Sequence, residues 1–155
     1  MNPDTIVLIA EDDDGHASLI EKNLRRGGMA RSCHRFRDGQ ETLDFFLGPG
    51  QNRPGKGSHR YLLLLDINLP MVNGIEVLRR LKEHDVLKQI PVFMLSTTDD
   101  PKEVEICHSI GCNFYLTKPT EPAAFAQVIA CLGSFLDLAT VPDIRLGSLS
   151  GISLN

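Results

Sequence analysis

Short apolar runs recur along the chain, and each is bounded by polar or turn-forming residues. The runs that we interpret as strands cover residues 5–10, 30–36, 61–66, 91–95 and 113–117. An unbroken apolar run of this length is typical of a strand buried on both faces of a parallel sheet. The clearest run has four consecutive leucines after Tyr61 and ends abruptly in Asp66, with Pro70 and Gly74 close behind.

The segments between these runs carry apolar residues at helical spacing. Ala17, Ile20 and Leu24 share one face of a helix that we expect to end at residues 27–28. The same spacing recurs at Ile75, Leu78 and Leu81, at Val104, Cys107 and Ile110, and at Phe125, Ile129, Leu132 and Leu136. Alternating strands and helices predict an α/β fold, with helices on both faces of a parallel sheet. Residues 48–57, rich in Gly and Pro, predict a mobile surface loop.

Polar side chains stand where the predicted strands end. They are Glu11 and Asp12 after the first strand, Asp66 at the end of the third, Ser96 and Thr97 after the fourth, and Lys118 after the fifth. The carboxyl ends of parallel strands share one edge, where open α/β sheets bind ligands. Clustered carboxylates repel one another unless a cation neutralises them, and oxygen ligands suit Mg²⁺. The pattern therefore predicts a divalent-cation site that includes Asp66.

Asp66 is also a candidate nucleophile that forms an aspartyl phosphate. Lys118 and a nearby hydroxyl would hold phosphoryl oxygens as they gain charge. Each residue alone has a structural explanation, because an Asp after a strand often caps a helix or forms a turn, and Lys118 with Pro119 could belong only to a loop. The joint placement of acid pair, Asp66, hydroxyl and lysine at one edge favours the phosphoacceptor.

Composition excludes several classes of function. The 155 residues suit one domain that can bury a core without disulfides. A net charge of −4 argues against nucleic-acid binding, which needs a basic patch. No apolar run is long enough to cross a bilayer, and no signal segment precedes the first strand. We therefore expect a cytoplasmic protein with neither nucleic acid nor membrane as a partner.

At these residues the chain resembles the receiver domain of response regulators in two-component signalling, over about residues 6–138. The resemblance implies a flavodoxin-like, doubly wound fold, with a five-stranded parallel sheet in the order 2-1-3-4-5 and five flanking helices. It implies a receiver domain over residues 1–140 and a C-terminal tail over residues 141–155, with no output domain. A protein of this kind catalyses only its own phosphorylation and dephosphorylation and is not otherwise an enzyme.

The resemblance also implies roles for the residues around the metal. Glu11 and Asp12 match the acidic pair, with Asp12 a direct Mg²⁺ ligand and Glu11 acting largely through water. Asp66 matches the phosphoacceptor, which is itself a metal ligand. The backbone carbonyl of Asn68 matches the remaining protein ligand.

Three further matches imply how the site would switch. Ser96 matches the switch hydroxyl, and Tyr115 matches the switch aromatic. Lys118 and Pro119 match the family's lysine and the proline that follows it in a cis peptide. In this family a histidine kinase presents a phosphohistidine, the aspartate attacks it, and the hydroxyl and aromatic move inward. That movement repacks the face formed by the fourth helix, fifth strand and fifth helix.

Within the family, residues 65–70, 74–81, 96–100 and 111–113 look like the single-domain regulators paired with bacterial and cyanobacterial phytochromes. That likeness implies a phytochrome-type histidine kinase as partner and a dimeric state. The last helix points the same way, because Asp137 is the only charged residue between Pro122 and Val141. A helix that is apolar nearly all round is buried on more than one side. We predict a homodimer through this helix, with the tail reaching across the partner; alternatively, the tail folds back onto its own subunit.

Other functions fit the sequence less well. A haloacid-dehalogenase-type phosphohydrolase needs a second Asp two residues after the nucleophile, and Asn68 stands there. A receiver-like scaffold that is never phosphorylated would not need the full set of acids, hydroxyl and lysine. A dinucleotide-binding domain is excluded, since no G-x-G-x-x-G follows the first strand.

Overall fold

Strands and helices alternate throughout the part of the chain that the structure, a computed structural model, describes: residues 5–26, 33–48 and 59–146. The strands are β1 (Thr5–Ala10), β2 (Cys33–Phe36), β3 (His59–Asp66), β4 (Val92–Ser96), β5 (Phe114–Thr117) and β6 (Asp143–Ile144). The helices are α1 (Asp14–Arg26), α2 (Gly39–Leu47), α3 (Gly74–Lys82), α4 (Pro101–Ile110) and α5 (Pro122–Asp137). A short 3-10 turn, Leu87–Gln89, precedes β4. Among these helices, none is long and apolar enough to cross a membrane.

The first five strands form a parallel sheet in the order β2-β1-β3-β4-β5, which confirms the predicted topology. A sixth strand was not predicted. It pairs antiparallel with the start of β3, where Ile144 lies opposite His59. This position is open to β6 because β4 pairs with β3 only from Leu63 onward.

The leucine run in β3 explains the layered core. Successive side chains of a strand point to opposite faces of the sheet. Leu63 and Leu65 accordingly pack in the cluster that includes residues of α2, α3 and α4. Leu62 and Leu64 pack in the cluster that includes residues of α1 and α5. An apolar strand without polar alternation is therefore the sequence of a strand covered by helices on both faces.

Several predicted boundaries differ from the observed ones. β3 begins two residues earlier than predicted, and β4 extends through Ser96. Residues 30–32 of the predicted second strand, the predicted helix end at 27–28 and most of the predicted loop at 48–57 lie outside the described residues. No sequence pattern predicted α2, although its start is marked by a cap: the Asp38 side chain accepts a hydrogen bond from the Glu41 N–H at 2.7 Å.

The first part of the C-terminal tail packs on its own subunit. Val141, Ile144 and Leu146 are buried in the core. Arg60 Nε donates to the Val141 carbonyl oxygen at 3.1 Å, which joins the tail to β3. The dimer arm over residues 141–155 stays a prediction, and residues 147–155 lie outside the described part of the chain.

Candidate functional site

The acidic loop between β1 and α1 is fixed at both ends. The Glu11 N–H donates to the Phe36 carbonyl at 3.0 Å, which continues the pairing of β1 with β2 and keeps Glu11 buried. Asp13 accepts a hydrogen bond from the His16 N–H at 2.8 Å and thereby caps α1. Asp14 occupies the first turn of α1, where an acid favours the positive end of the helix dipole.

A close backbone approach positions Asp66 at the end of β3. The Gly74 N–H donates to the Ile67 carbonyl at 2.8 Å, so α3 begins directly against the end of the strand. A Cβ atom on Gly74 would lie only 2.1 Å from the Asp66 carbonyl oxygen. Glycine is required here for its lack of a side chain rather than for its backbone angles. The Asn73 side chain then caps α3 by accepting from the Glu76 N–H at 3.1 Å.

Lys118 joins the two buried carboxylates of the site. Its Nζ donates to Glu11 Oε2 at 2.6 Å and to Asp66 Oδ2 at 3.1 Å, and all three side chains are buried. The Lys118 N–H donates to the Ser96 carbonyl at 2.6 Å, so the pairing of β4 with β5 places the lysine. The described residues contain no cis peptide bond. The expectation of a cis peptide before Pro119, taken from the family resemblance, is therefore wrong for this structure.

The site carries more negative than positive charge. Carboxylate oxygens of Glu11, Asp12 and Asp66 lie within 4.8 Å of one another, whereas Lys118 is the cation that contacts the buried pair. Burial raises the pKa of Glu11, and the Asp66 charge raises it further, while the hydrogen bond from Lys118 opposes both effects. Asp12 is exposed, so the cluster opens to solvent. A divalent cation with oxygen ligands fits this donor set.

Asn68 lies beside the acceptor carboxylate. Its backbone N–H donates to Asp66 Oδ1 at 3.3 Å, so this peptide adjoins the cluster. The role of its carbonyl as a metal ligand stays a prediction.

The structure also brings the two predicted switch residues together. Ser96 ends β4 and is completely buried, and Tyr115 is half-buried in the neighbouring β5. The Tyr115 hydroxyl lies 2.9 Å from the Thr98 carbonyl oxygen and 3.1 Å from Glu103 Oε1. Burial, together with the Glu103 carboxylate, raises the pKa of Tyr115 to about 12.

Arg35 of β2, which was not among the predicted site residues, holds the acidic loop. Its guanidinium donates to the carbonyls of Glu11 and Asp12 at 3.0 and 3.2 Å and to Asp14 Oδ1 at 2.7 Å. Arg37 contacts the same Asp14 oxygen at 2.8 Å, and these two arginines lower the pKa of Asp14. No signal in the sequence pointed to this role, because β2 is the edge strand of the sheet, where charged residues are common.

His16 was missed for a different reason. Its Nδ1 lies 3.5 Å from Lys118 Nζ and 3.8 Å from Glu11 Oε1, and its ring packs edge-on against Phe125 of α5. His16 faces Lys118 because α1 begins at a particular residue after the acidic pair. No pattern in the sequence fixes that start to a single residue.

A family model described as the response regulator receiver domain matches residues 7–130. The chain belongs to this family. Response regulator Rcp1 of Synechocystis is 31% identical over 144 residues, which cover 91% of this chain and 95% of Rcp1. The Mn²⁺-bound form of Rcp1 superposes with a TM-score of 0.80, with 29% identity over 88% of this chain and 98% of that one.

Two other solved receivers are similar along almost their whole length. A response regulator receiver domain from Rhodospirillum rubrum has a TM-score of 0.82 and 41% identity, covering 91% of this chain and 99% of that chain. The phosphorylated cyanobacterial phytochrome response regulator RcpA has a TM-score of 0.77 and 29% identity, covering 88% of this chain and 97% of that chain.

Proposed function

We propose that this receiver acts in the cytoplasm as a single-domain response regulator that accepts a phosphoryl group on Asp66 from the phosphohistidine of a histidine kinase. The observation that carries the proposal is the position of Asp66. Its carboxylate is buried at a strand end, 3.1 Å from Lys118 Nζ and within 4.8 Å of the oxygens of Glu11 and Asp12. A carboxylate held beside a cation and other acids in this way supports nucleophilic attack on phosphorus.

Mg²⁺ is the cation that we propose for the site. The ligands would be the carboxylates of Asp12 and Asp66 and the carbonyl of Asn68, with Glu11 acting through water. When bound, the ion would neutralise the charge that gathers on the phosphoryl oxygens. The Mn²⁺-bound form of the similar Rcp1 supports a divalent cation in this family's acidic pocket.

The side chains of the site divide the work of the transfer. An Asp66 oxygen forms the new bond to phosphorus, and the P–N bond to the kinase imidazole breaks with its electron pair staying on nitrogen. Lys118 turns its ammonium toward the incoming phosphoryl oxygens, and the Ser96 hydroxyl donates a hydrogen bond to one of them. Hydrolysis of the acyl phosphate returns the aspartate. The protein is thus proposed to be a phosphoacceptor and not an enzyme with a separate substrate.

A phytochrome-type histidine kinase is our proposed donor. The support is the similarity to RcpA, which is described as a phytochrome response regulator and covers 88% of this chain. A receiver that binds partners without phosphorylation is the second candidate, but it leaves the shared contacts of Lys118 with Glu11 and Asp66 without a purpose.

We propose further that two copies associate through α5 and β5. The outer face of this pair is apolar: Phe114 is 49% exposed, Phe135 is 56% exposed and Leu138 is 87% exposed. Phe114 and Phe135 flank a groove of about 630 Å³ that is also lined by Phe93, Leu116, Val128 and Cys131. Because the lining carries no charge, a second copy meets no like-charge repulsion there, and an exposed apolar patch of this kind marks an interface.

Sedimentation velocity tests the dimer. Phe135→Asp should give a monomer at protein concentrations where the wild type sediments as a dimer. Met71→Asp places the same acid at an exposed apolar position in the loop between β3 and α3 and should leave the dimer intact. A wild type that stays monomeric at tens of micromolar would overturn this part of the proposal.

Acetyl phosphate tests the phosphoacceptor role without any kinase. With Mg²⁺ present, intact mass spectrometry should find one added phosphoryl group on the wild type and none on Asp66→Asn. Adding EDTA should abolish the change in mass. Equal phosphorylation of both proteins would refute the assignment of Asp66.

A further inference from the structure

Glu103, in the first turn of α4, contacts both residues that are expected to switch. Its Oε1 lies 3.4 Å from the Ser96 hydroxyl and 3.1 Å from the Tyr115 hydroxyl. Ser96 is completely buried, and Tyr115 and Glu103 are partly buried. One carboxylate oxygen on α4 therefore joins the last residue of β4 to the middle of β5.

The hydrogen bond that an acid at this helix position often accepts is made here by another residue. An acid three residues after an Asp cap often reaches back to the cap's own N–H. Here the Asp100 N–H donates instead to the Thr98 hydroxyl at 3.1 Å, while the Asp100 side chain caps the Lys102 N–H at 3.0 Å. Glu103 thus accepts hydrogen bonds from the switch residues rather than closing its helix.

Among the described residues, the ion pairs do not include Glu103. A partly buried carboxylate needs hydrogen-bond donors in place of water. The hydroxyls of Ser96 and Tyr115 supply them. The carboxylate therefore depends on the same two groups that phosphorylation is expected to redirect.

The Ser96 hydroxyl cannot donate to Glu103 and to a phosphoryl group at the same time. The Ser96 oxygen already accepts a hydrogen bond from the Thr98 N–H at 3.1 Å, and Glu103 Oε1 lies 3.4 Å from it, within reach of its single proton. A serine hydroxyl has only one proton to donate. It can therefore bind Glu103 or a phosphoryl oxygen on Asp66, but not both fully.

We propose that Glu103 is a positioning residue that holds the Ser96 hydroxyl in the resting state and competes with the phosphoryl group for its proton. When the hydroxyl turns to the phosphoryl group, Glu103 keeps Tyr115 as its donor. The Tyr115 proton, which Thr98 and Glu103 share at rest, then shifts toward Glu103. This relay ties the charge state of Asp66 to the position of α4. The inference rests on the phosphoacceptor role proposed for Asp66.

Beryllofluoride binding tests the competition, because this phosphoryl mimic binds the acceptor aspartate without a leaving group. The variant is Glu103→Gln, which keeps the size of the side chain but weakens the acceptor. Its control is Glu105→Gln, which makes the same charge change at an exposed position of the same helix. Titrations with Mg²⁺ and beryllofluoride are followed by calorimetry, with matched urea midpoints as the check on folding.

We expect Glu103→Gln to bind beryllofluoride about five-fold more tightly than wild type, the size of one modest hydrogen bond. Glu105→Gln should stay within about two-fold of wild type, as expected for an exposed charge. Equal affinities for Glu103→Gln and wild type, or weaker binding by Glu103→Gln, overturn the inference. So does an equal gain in both variants, because that gain would be an effect of net charge.

Tyrosine fluorescence emission supplies a second readout, which would not change if Glu103 had only a packing role. The chain has no Trp and two Tyr, so the emission lost in Tyr115→Phe belongs to Tyr115. A carboxylate that accepts a phenol proton quenches this emission. We expect beryllofluoride to lower the Tyr115 emission in wild type but not in Glu103→Gln, and the same change in both would count against the relay.

Failure of the proposed function gives a different result. If wild type binds no beryllofluoride and Asp66→Asn behaves identically, the phosphoacceptor role fails and the Glu103 inference fails with it. If wild type binds and Asp66→Asn does not, the phosphoacceptor role stands. The comparison of Glu103→Gln with Glu105→Gln then decides the inference alone.

Discussion

Replacing Lys118 with methionine removes the cation that two buried carboxylates share. Methionine has a similar length and flexible packing, so the main loss is charge. In the wild type, Lys118 Nζ lies 2.6 Å from Glu11 and 3.1 Å from Asp66. Without it, two carboxylates face each other in a buried site, and one of them must take up a proton or remain charged without a partner.

Proton uptake limits the cost of this substitution. Each lost attraction is about 5 kcal/mol at 3 Å in an effective dielectric of 20. Protonating one carboxyl group of ordinary pKa at pH 7 costs only about 4 kcal/mol, at about 1.4 kcal/mol per pH unit. Because burial and Asp66 already raise the pKa of Glu11, the cost should fall below this limit. We expect the metal-free Lys118→Met variant to lose about 2–3 kcal/mol of unfolding free energy at pH 7.

The sign of the pH dependence follows from the proton. In the variant, the folded protein holds a carboxyl group with a pKa raised above its unfolded value, so folding takes up a proton at neutral pH. The stability that Lys118→Met loses relative to wild type should be small near the carboxyl pKa of the unfolded chain, at about pH 4–5. It should grow as pH rises toward the raised pKa of the folded variant. Urea unfolding without metal at pH 5 and pH 7.5 measures this difference.

Lys88→Met is the matched control. Lys88 is an exposed lysine, 3.9 Å from the exposed Asp85, and its loss should cost less than about 0.5 kcal/mol at either pH. Saturating Mg²⁺ should recover more stability in Lys118→Met than in the wild type, because the variant's site carries more uncompensated charge. A loss of equal size at both pH values that does not respond to Mg²⁺ would refute this reasoning and indicate lost packing.

Three further predictions concern the surroundings of the site. Gly74→Ala should lower the free energy of unfolding in urea by roughly 2 kcal/mol or more, because its Cβ would lie 2.1 Å from a backbone oxygen. The control, Gly15→Ala, should be nearly neutral, because its Cβ would meet only the Asp13 side chain, at 3.1 Å. Arg35→Met should weaken Mg²⁺ binding in calorimetry by roughly ten-fold while leaving the ligands in place, as expected for a residue that orients ligands; unchanged affinity would count against its role. Tyr115 should ionise only near pH 12, and the phenolate absorbance that is lost in Tyr115→Phe measures this titration. Because the pKa of Tyr115 is raised in the folded state, the free energy of unfolding should fall as pH rises from about 10, the ordinary tyrosine pKa, to about 12.

The sequence predicted the sheet because its strongest signals are local. The leucines of β3 and the acid at its end lie within a few residues, and parallel strands bring their carboxyl ends to one edge wherever the intervening helices lie. The placement of Glu11, Asp66 and Lys118 in one cluster needs only that topology. Contact between Lys118 and both acids then follows from charge.

What the sequence did not predict depends on contacts between distant segments. The two residues of β6 pair with residues of β3 that lie more than 80 residues earlier in the sequence. A strand this short has no periodicity from which it could be predicted. Arg35 reaches the acidic loop only because β2 lies beside β1. Glu103 stands three residues after Asp100, but it does not contact the Asp100 N–H, because the Thr98 hydroxyl accepts from that group. Each of these contacts is set by tertiary structure and not by local pattern.

Chemical trapping of the phosphorylated residue tests the central claim most directly. The protein is incubated with acetyl phosphate and Mg²⁺, treated with borohydride and digested, and its peptides are sequenced by mass spectrometry. Borohydride reduces an aspartyl phosphate to homoserine, so it marks the acceptor itself. The account predicts homoserine at position 66 and at no other aspartate. Homoserine at another acid, or none after a measured gain of one phosphoryl group, would contradict it.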